Sequence, residues 1–211
     1  MQLGRLGAIW RYPIKSLAGE SLESSAVLPN GLEGDRERAL LVRDGHARAG
    51  KAYRGKENDR LHTMRDTAHA LEAARERGVV ADVATDHDER FFDLSPISIV
   101  LDRWLDGISE HVGYRVEYRR FRPNLFVLAD GDVPDEAELP GRELTLGPVR
   151  LRVVKAIERC VVTNYALDGG AADARILRYV AQERENCMGI YCDVLRAGTV
   201  RIGDSLALVE R

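Results

Sequence analysis

The chain has 211 residues, 45% hydrophobic and 31% charged, the balance of a globular protein that buries its core as one large domain or two small packed ones. Its net charge of −3 excludes the broadly basic face of a nucleic-acid binder, yet leaves room for local cationic clusters that hold a small anion. Its three cysteines do not form a disulfide framework, Met1 to Arg5 lacks a signal-peptide apolar core, and no apolar run approaches the roughly 20 residues of a membrane span, so the expected setting is the cytoplasm, with no membrane and no nucleic-acid partner.

Leu6 to Tyr12 reads as a strand ended by Pro13, which has no N–H to give a ladder. Leu22 to Leu28 reads as a second strand with Asn30-Gly31 as its turn, and Arg38 to Arg43 as a third, carried by the apolar run Ala39-Leu40-Leu41-Val42. Gly45 to Asn58 is glycine-rich and basic, a loop. Asp66 to Arg77 places Ala70, Leu71 and Ala74 at helical spacing, with Gly78 as the stop. Ser95-Pro96 has the form of a helix start, and Ile97 to Val112 continues it with Val100, Leu101, Trp104, Leu105 and Ile108 on one stripe. Strands are predicted at Arg115–Tyr118, Leu125–Leu128, Glu143–Val154 and Cys160–Thr163, and a helix at Ala172–Glu183. Ile190 to Leu208 reads as two strands joined near Ala197-Gly198. Many strands with helices inserted, and no repeat, point to an α+β fold built on a mostly antiparallel β-barrel.

The pair Arg159-Cys160 sets a soft sulfur donor beside a fixed positive charge, an arrangement suited to a soft metal and an anionic cofactor, although most such cysteines only pack a core. Cys192 alternates with Ile190 and reads as core; Cys160, Cys187 and Cys192 lack the short paired spacing of structural zinc sites. The five histidines show no metal-ligand spacing, and neither a Gly-x-Ser-x-Gly elbow nor a Walker loop occurs. Lys15-Ser16 beyond a proline turn, Arg36 after Gly34, Arg122 before Asn124, and Asp93-Leu94-Ser95 at the predicted helix start have the chemistry to hold an anion, although by themselves most such charged residues are solvated surface groups.

Taken in order, Tyr12-Pro13-Ile14-Lys15-Ser16, Gly31-Leu32-Glu33-Gly34-Asp35-Arg36, Arg120-Phe121-Arg122-Pro123-Asn124, and Arg159-Cys160 followed by Gly189-Ile190-Tyr191-Cys192 resemble the MOSC proteins, named for the C-terminal domain of molybdenum cofactor sulfurases. The layout is similar to that of the mitochondrial amidoxime-reducing components and their bacterial counterparts, from about Leu6 through Gly198-Thr199-Val200-Arg201-Ile202-Gly203-Asp204. The resemblance implies an N-terminal β-rich part at 1–95 and a MOSC domain at 96–211 that share a site. It implies a molybdenum-molybdopterin cofactor, with no pyridoxal phosphate, and makes Cys160 the metal-ligating, catalytic residue. Lys15, Ser16, Arg36, Asp93, Leu94, Ser95, Arg122, Arg159 and Tyr191 then match cofactor-contacting positions.

The activity so implied is reduction of N-hydroxylated or N-oxygenated small molecules; the alternative is a non-catalytic cofactor or sulfur carrier. Too few cysteines are present for a four-cysteine iron–sulfur centre, so a separate electron-transfer protein or reductase is the expected partner. Two departures from the family pattern stand out. The basic loop His46–Asn58 lacks a Thr-x-Arg motif and is available for a cofactor tail or an acidic substrate, and Pro134-Asp135-Glu136 lacks the tryptophan of an acidic-aromatic stretch.

Overall fold

The structure is a computed structural model that describes residues 1–45 and 49–210; residues 46–48 of the predicted basic loop, and 211, lie outside the described residues. The chain opens with β1 (Gln2–Arg11), β2 (Glu20–Leu22), β3 (Ser24–Leu28), β4 (Gly31–Leu32) and β5 (Arg38–Asp44). Helix α1 (Thr67–Glu76) follows, capped by Asp66, whose side chain accepts a hydrogen bond from the backbone of His69. Strands β6 (Val80–Thr85) and β7 (Ile97–Leu101), helix α2 (Asp106–Val112), and strands β8 (Leu125–Ala129), β9 (Glu143–Leu146) and β10 (Val149–Glu158) come next. Helix α3 (Ala174–Glu183), which buries Ile176 and Val180, precedes β11 (Cys187–Arg196), β12 (Gly198–Arg201) and β13 (Ser205–Leu208).

Seven strands close a barrel in the order β13, β9, β10, β11, β7, β8, β1, with β1 pairing back to β13 and β2 lying outside β1. Every pairing is antiparallel except β7 with β8, so the barrel is mixed. Its interior holds the main core, with Leu6, Ile9, Ile99, Val127, Leu151 and Ile190 essentially inaccessible. A second, smaller core of Leu17, Leu40, Tyr53, Leu61 and Ala70 lies under the β5–β6 pair and α1. Among the described residues no helix is long and apolar enough to cross a membrane.

Several predicted elements are corrected. Ile97–Val112 is not one helix. Its first five residues form β7, and a 3-10 turn at Asp102–Leu105 leads into the short α2. β7 is a central strand of the barrel wall between β11 and β8, and all five of its residues are buried, so both of its faces are covered and the run has no alternation to announce it. Pro96 therefore precedes a strand, where a missing N–H is tolerated, and Ser95 caps no helix. Cys160 is not in a strand but opens a 3-10 turn at Val161–Asn164, and Arg115–Tyr118 forms no strand. The predicted strand at Glu143–Val154 is a hairpin broken at Gly147-Pro148, and the C-terminal segment holds three strands rather than two.

The seam between β1, β7 and β8 is closed by Asn124, which is buried. Its Oδ1 accepts from the backbone N and the Oγ of Ser98 at 3.1 and 2.9 Å, and its Nδ2 donates to the Trp10 carbonyl at 3.3 Å. Its backbone donates to Ser98 and accepts from Trp10 N at 2.7 Å. Asn124→Ala would leave the amide's partners without a bond inside the protein, at roughly 1–3 kcal/mol for each stranded group. The variant should lose about 3 kcal/mol in urea unfolding. A loss under about 1 kcal/mol would show that the amide does not hold the seam.

Candidate functional site

Segments from both parts of the chain converge on one cleft of about 290 Å³ at the seam between the barrel and the smaller core. After β1, the turn through Pro13 is pinned by a bridge between Ile14 and Arg38 and presents Lys15 and Ser16. The turn between β4 and β5 contributes Arg36, the 3-10 turn at Tyr118–Phe121 leads into Arg122, and the end of β10 contributes Arg159 and Cys160. Tyr191 enters from β11 and Asp93 from the segment before β7. Of the predicted site residues, Leu94 and Ser95 do not line the cleft: Leu94 is exposed, and Ser95 is buried with no helix N-terminus beside it to attract an anion.

Backbone strain marks the same place. Ser16, Arg36 and Arg122 have φ of +71°, +51° and +50°, the left-handed region that side chains enter at a cost of about 1 kcal/mol or more each. In each case the unusual backbone belongs to a residue lining the cleft. Gly189, on β11, has φ +84°, and a Cβ there would come within 2.7 Å of the Ile99 carbonyl and 3.1 Å of Arg159 Nη2. The glycine thus lets β11 pass directly beside that guanidinium.

Charge in the cleft is lopsided. Only Asp93 and Glu158 among its lining residues are carboxylates, and they pair with Lys15 at 2.6 Å and Lys155 at 2.7 Å. Arg36 is ion-paired with the fully buried Asp35; burial opposes its charge, but Asp35 more than offsets this and its pKa lies above the ordinary value. Arg120, Arg122 and Arg159 have no carboxylate partner among the described residues. Arg122 donates to the Leu17 carbonyl at 2.6 Å and lies 4.2 Å from the centre of the Tyr12 ring, with Arg36 5.0 Å from the same ring. Burial lowers the pKa of Arg122 and pushes the Tyr12 hydroxyl up to about 12, so the ring between the two guanidiniums stays neutral.

Arg159 is the most exacting group. Its Nε donates to the Met188 carbonyl at 2.7 Å and its Nη1 to the Phe121 carbonyl at 2.8 Å. Its Nη2 is buried with no partner among the described residues, and burial pulls the pKa down to about 10. A cation so enclosed, with a donor left over, is incomplete without an anion or acceptor. Next to it, Cys160 is exposed, with a free thiol and extended backbone, and its carbonyl accepts from Thr163 N and Oγ1, both at 3.1 Å. Cys192, by contrast, is a core residue, and burial raises its thiol pKa, as it does more mildly for the half-buried Cys187. No group of three or more His, Cys, Asp or Glu side chains among the described residues could hold a metal ion, so a zinc site built on the three cysteines has no support.

The basic loop, expected to be available for a cofactor tail or an acidic substrate, reaches the cleft at three residues, and Ser98 and Arg120 join it unannounced. Arg54, Gly55 and Lys56 of the basic loop line the cleft, and a Cβ on Gly55 would sit 3.2 Å from the Val162 side chain. Their basic composition was the available signal. Ser98 was hidden inside the run read as helix, and Arg120 lies in a motif of which only Arg122 drew notice.

Residues 86–207, more than half of the chain, match the MOSC domain, and residues 3–94 match the MOSC N-terminal beta barrel domain. The chain is 24% identical over 132 residues to mitochondrial amidoxime-reducing component 1 of Mus musculus, covering 56% of this chain and 38% of that protein. It is 26% identical over 144 residues to mitochondrial amidoxime-reducing component 1 of Homo sapiens, covering 62% of this chain and 42% of the relative. The match therefore spans about two fifths of the length of these curated relatives. The crystal structure of the YuaD protein from Bacillus subtilis shares the fold, with a TM-score of 0.53 over 98% of this chain and 94% of that one, at 16% identity. With both halves of its sequence matched and a closed barrel in place, the chain belongs to the MOSC family, which is associated with binding of the molybdenum cofactor.

Proposed function

We propose that the cleft holds a molybdenum cofactor and that the protein is an oxidoreductase acting on N-hydroxylated or N-oxygenated small molecules. The observation that carries this reading is Arg159, a buried cation with an unpartnered Nη2, standing directly before an exposed free cysteine in a cleft of excess positive charge. The donor set fits an anionic, sulfur-bearing organometallic group. The cleft offers one soft ligand, Cys160, and with no cluster of further side-chain ligands among the described residues, most of a metal's coordination would come from the cofactor itself.

In this reading Lys15, Ser16, Arg36, Arg122 and Arg159 hold the cofactor's anionic groups, Tyr191 supplies a neutral hydroxyl because burial raises its pKa, and Cys160 ligates the metal. Asp93 keeps Lys15 oriented through their ion pair. When bound, the cofactor supplies two-electron reduction of a substrate N–O bond, with electrons from a separate electron-transfer protein. Arg54 is held by Glu57 at 2.6 Å and Lys56 lies at its side, so the basic loop biases the cleft toward substrates that carry negative charge.

The primary test is loading. Protein purified from a cofactor-competent host should carry molybdenum and pterin at up to one equivalent, and should reduce a simple N-hydroxy compound with an artificial electron donor. Absence of both metal and pterin, in a host that loads a control enzyme, would remove the cofactor reading. Loading without reduction would favour the carrier role.

Cys160→Ser should abolish reduction or change the metal's electron paramagnetic resonance signal while leaving the melting temperature in place, because oxygen is a harder donor than thiolate. An unchanged signal with full turnover would show another ligand. Cys187→Ser should do little.

Arg159→Lys should make cofactor retention depend on pH. Burial already draws the arginine down to about 10, and a lysine starts about two units lower. The lysine cation is present at low pH and lost as pH rises, so retention should fall by roughly tenfold or more between about pH 6 and pH 9, where wild type holds steady. Parallel pH profiles for the two proteins would count against an anion at this guanidinium.

A further inference from the structure

A second cavity of about 150 Å³ opens beside the cleft, and Arg120, Arg122 and Val162 line both. Alone it is too small for an ordinary organic ligand, but together the two reach the several hundred Å³ typical of cofactor and ligand sites. We propose that this annex binds a planar heteroaromatic ring carrying a phosphate, that is, a nucleotide, with its phosphate at the shared arginines. The ring comes either from a nucleotide extension of a cofactor seated in the cleft or from a free nucleotide. Only the first source rests on the cofactor reading.

The walls specify both halves of such a ligand. Arg65, Arg119, Arg120 and Arg122 line the annex and no carboxylate does, so an anion is favoured over a neutral or cationic group. Trp10, Tyr12, His62 and Tyr165 add ring surface, beside smaller or aliphatic residues such as Ala18 and Leu167. Trp10 satisfies its Nε1 by donating to Tyr118 Oη at 3.0 Å and lines the annex with its ring, over which the Arg119 guanidinium lies 5.5 Å from the centre. Tyr165 stacks on His62 with centroids 5.6 Å apart, and Tyr12 forms a wall under Gly19. A Cβ at Gly19 would fall 2.6 Å from the Tyr12 ring, so glycine is what allows the chain to lie flat against that ring and leave room beside it.

A polar reader is present as well. His62 Nε2 lies 2.7 Å from the Ala166 carbonyl and donates to it, so in the neutral ring Nδ1 is an acceptor; that Nδ1 is buried and has no partner among the described residues. A ring N–H or exocyclic amine would satisfy it. Arg119 is ion-paired with Glu117 at 2.7 Å, whereas Arg65, Arg120 and Arg122 have no carboxylate partner among the described residues. Stacking surface, an open acceptor and such guanidiniums are the elements by which proteins hold single nucleotides in a sequence-tolerant or base-selective way.

The test has two arms. In the first, the full chain made in a host lacking the cofactor is titrated with GMP, guanosine and inorganic phosphate, followed by calorimetry and by quenching of tryptophan fluorescence, to which Trp10 and the buried Trp104 both contribute. GMP should bind at least about tenfold more tightly than either guanosine or phosphate, because ring and anion are recognised together. Arg65 is exposed and its side chain has no hydrogen bond or ion pair among the described residues, so Arg65→Ala leaves the fold intact and should weaken GMP by about tenfold. In the second arm, small molecules released by acid from cofactor-loaded protein are analysed by mass spectrometry, and nucleotide is counted against molybdenum.

One nucleotide per molybdenum assigns the annex to an extended cofactor. Tight GMP binding with no nucleotide in the loaded protein assigns it to a free nucleotide. GMP binding no better than phosphate, together with no released nucleotide, overturns the proposal, and if molybdenum is present in that protein the reading of the cleft stands. GMP binding by a chain that never takes up molybdenum or pterin would instead leave the annex standing and sink the cleft.

Discussion

One buried amide organises the region from which everything else hangs. Asn124 ties Ser98 on β7 to Trp10 on β1 at the start of β8, where the barrel has its single parallel pairing. Parallel pairing spaces its slanted bonds evenly and leaves strand ends offset, and here the side-chain amide supplies the bonds that the ladder cannot. Its oxygen also receives Arg36 Nη1 at 3.3 Å, while the neighbouring Pro123 carbonyl accepts from the buried Tyr12 hydroxyl at 3.3 Å. Arg122, immediately before Pro123, is forced into left-handed backbone and turned onto the Tyr12 ring. A polar group this deep costs free energy unless fully paired, so its several partners are held in one arrangement.

The cleft built on this knot contradicts the average electrostatics of the chain. An overall charge of −3 coexists with three guanidiniums that, among the described residues, meet carbonyls and aromatic rings but no carboxylate. Burying cations without counter-charges raises the energy of the empty site, and the left-handed backbone at Ser16, Arg36 and Arg122 raises it further. An anionic ligand relieves the first of these and gains a site that needs little rearrangement to receive it. The same logic explains why Asp35 is buried beside Arg36. One internal carboxylate holds the cluster together, and the remaining cations are left for the ligand.

The two cavities share this economy of construction. Arg120 reaches across to the carbonyls of Asn164 and Tyr165 at 3.0 and 2.7 Å, anchoring the turn that follows Cys160 to the wall of the annex. Arg122 then separates the annex from the cleft while facing both. The thiol of Cys160 and the aromatic surface of Tyr165 are therefore set relative to each other by a short 3-10 turn rather than by a long loop. Such a turn keeps the soft ligand exposed at the cleft while its own backbone groups remain satisfied.

Much of the architecture was legible in local pattern. Helix α1 carries an N-cap aspartate and apolar positions at helical spacing, α3 a stripe through Ile176 and Val180, and β8 a short apolar run; each reports burial on a periodic face or in a bounded segment. Ile97–Leu101 defeated this reading because burial on both faces erases the alternation that separates strand from helix. The sequence by itself determined which chemical groups were on offer: the Arg159-Cys160 pair, Lys15 with Ser16, Arg36, Arg122 and Tyr191, recognisable as an ordered set. Only the tertiary structure decided that Leu94 and Ser95 stand apart, that Ser98, Arg120 and the loop at 54–56 join the cleft, and that Arg159 keeps one donor unpaired. Those outcomes depend on contacts between residues far apart in the chain, such as Arg159 with Phe121 and Asn124 with Trp10, and on backbone angles that packing imposes against local preference.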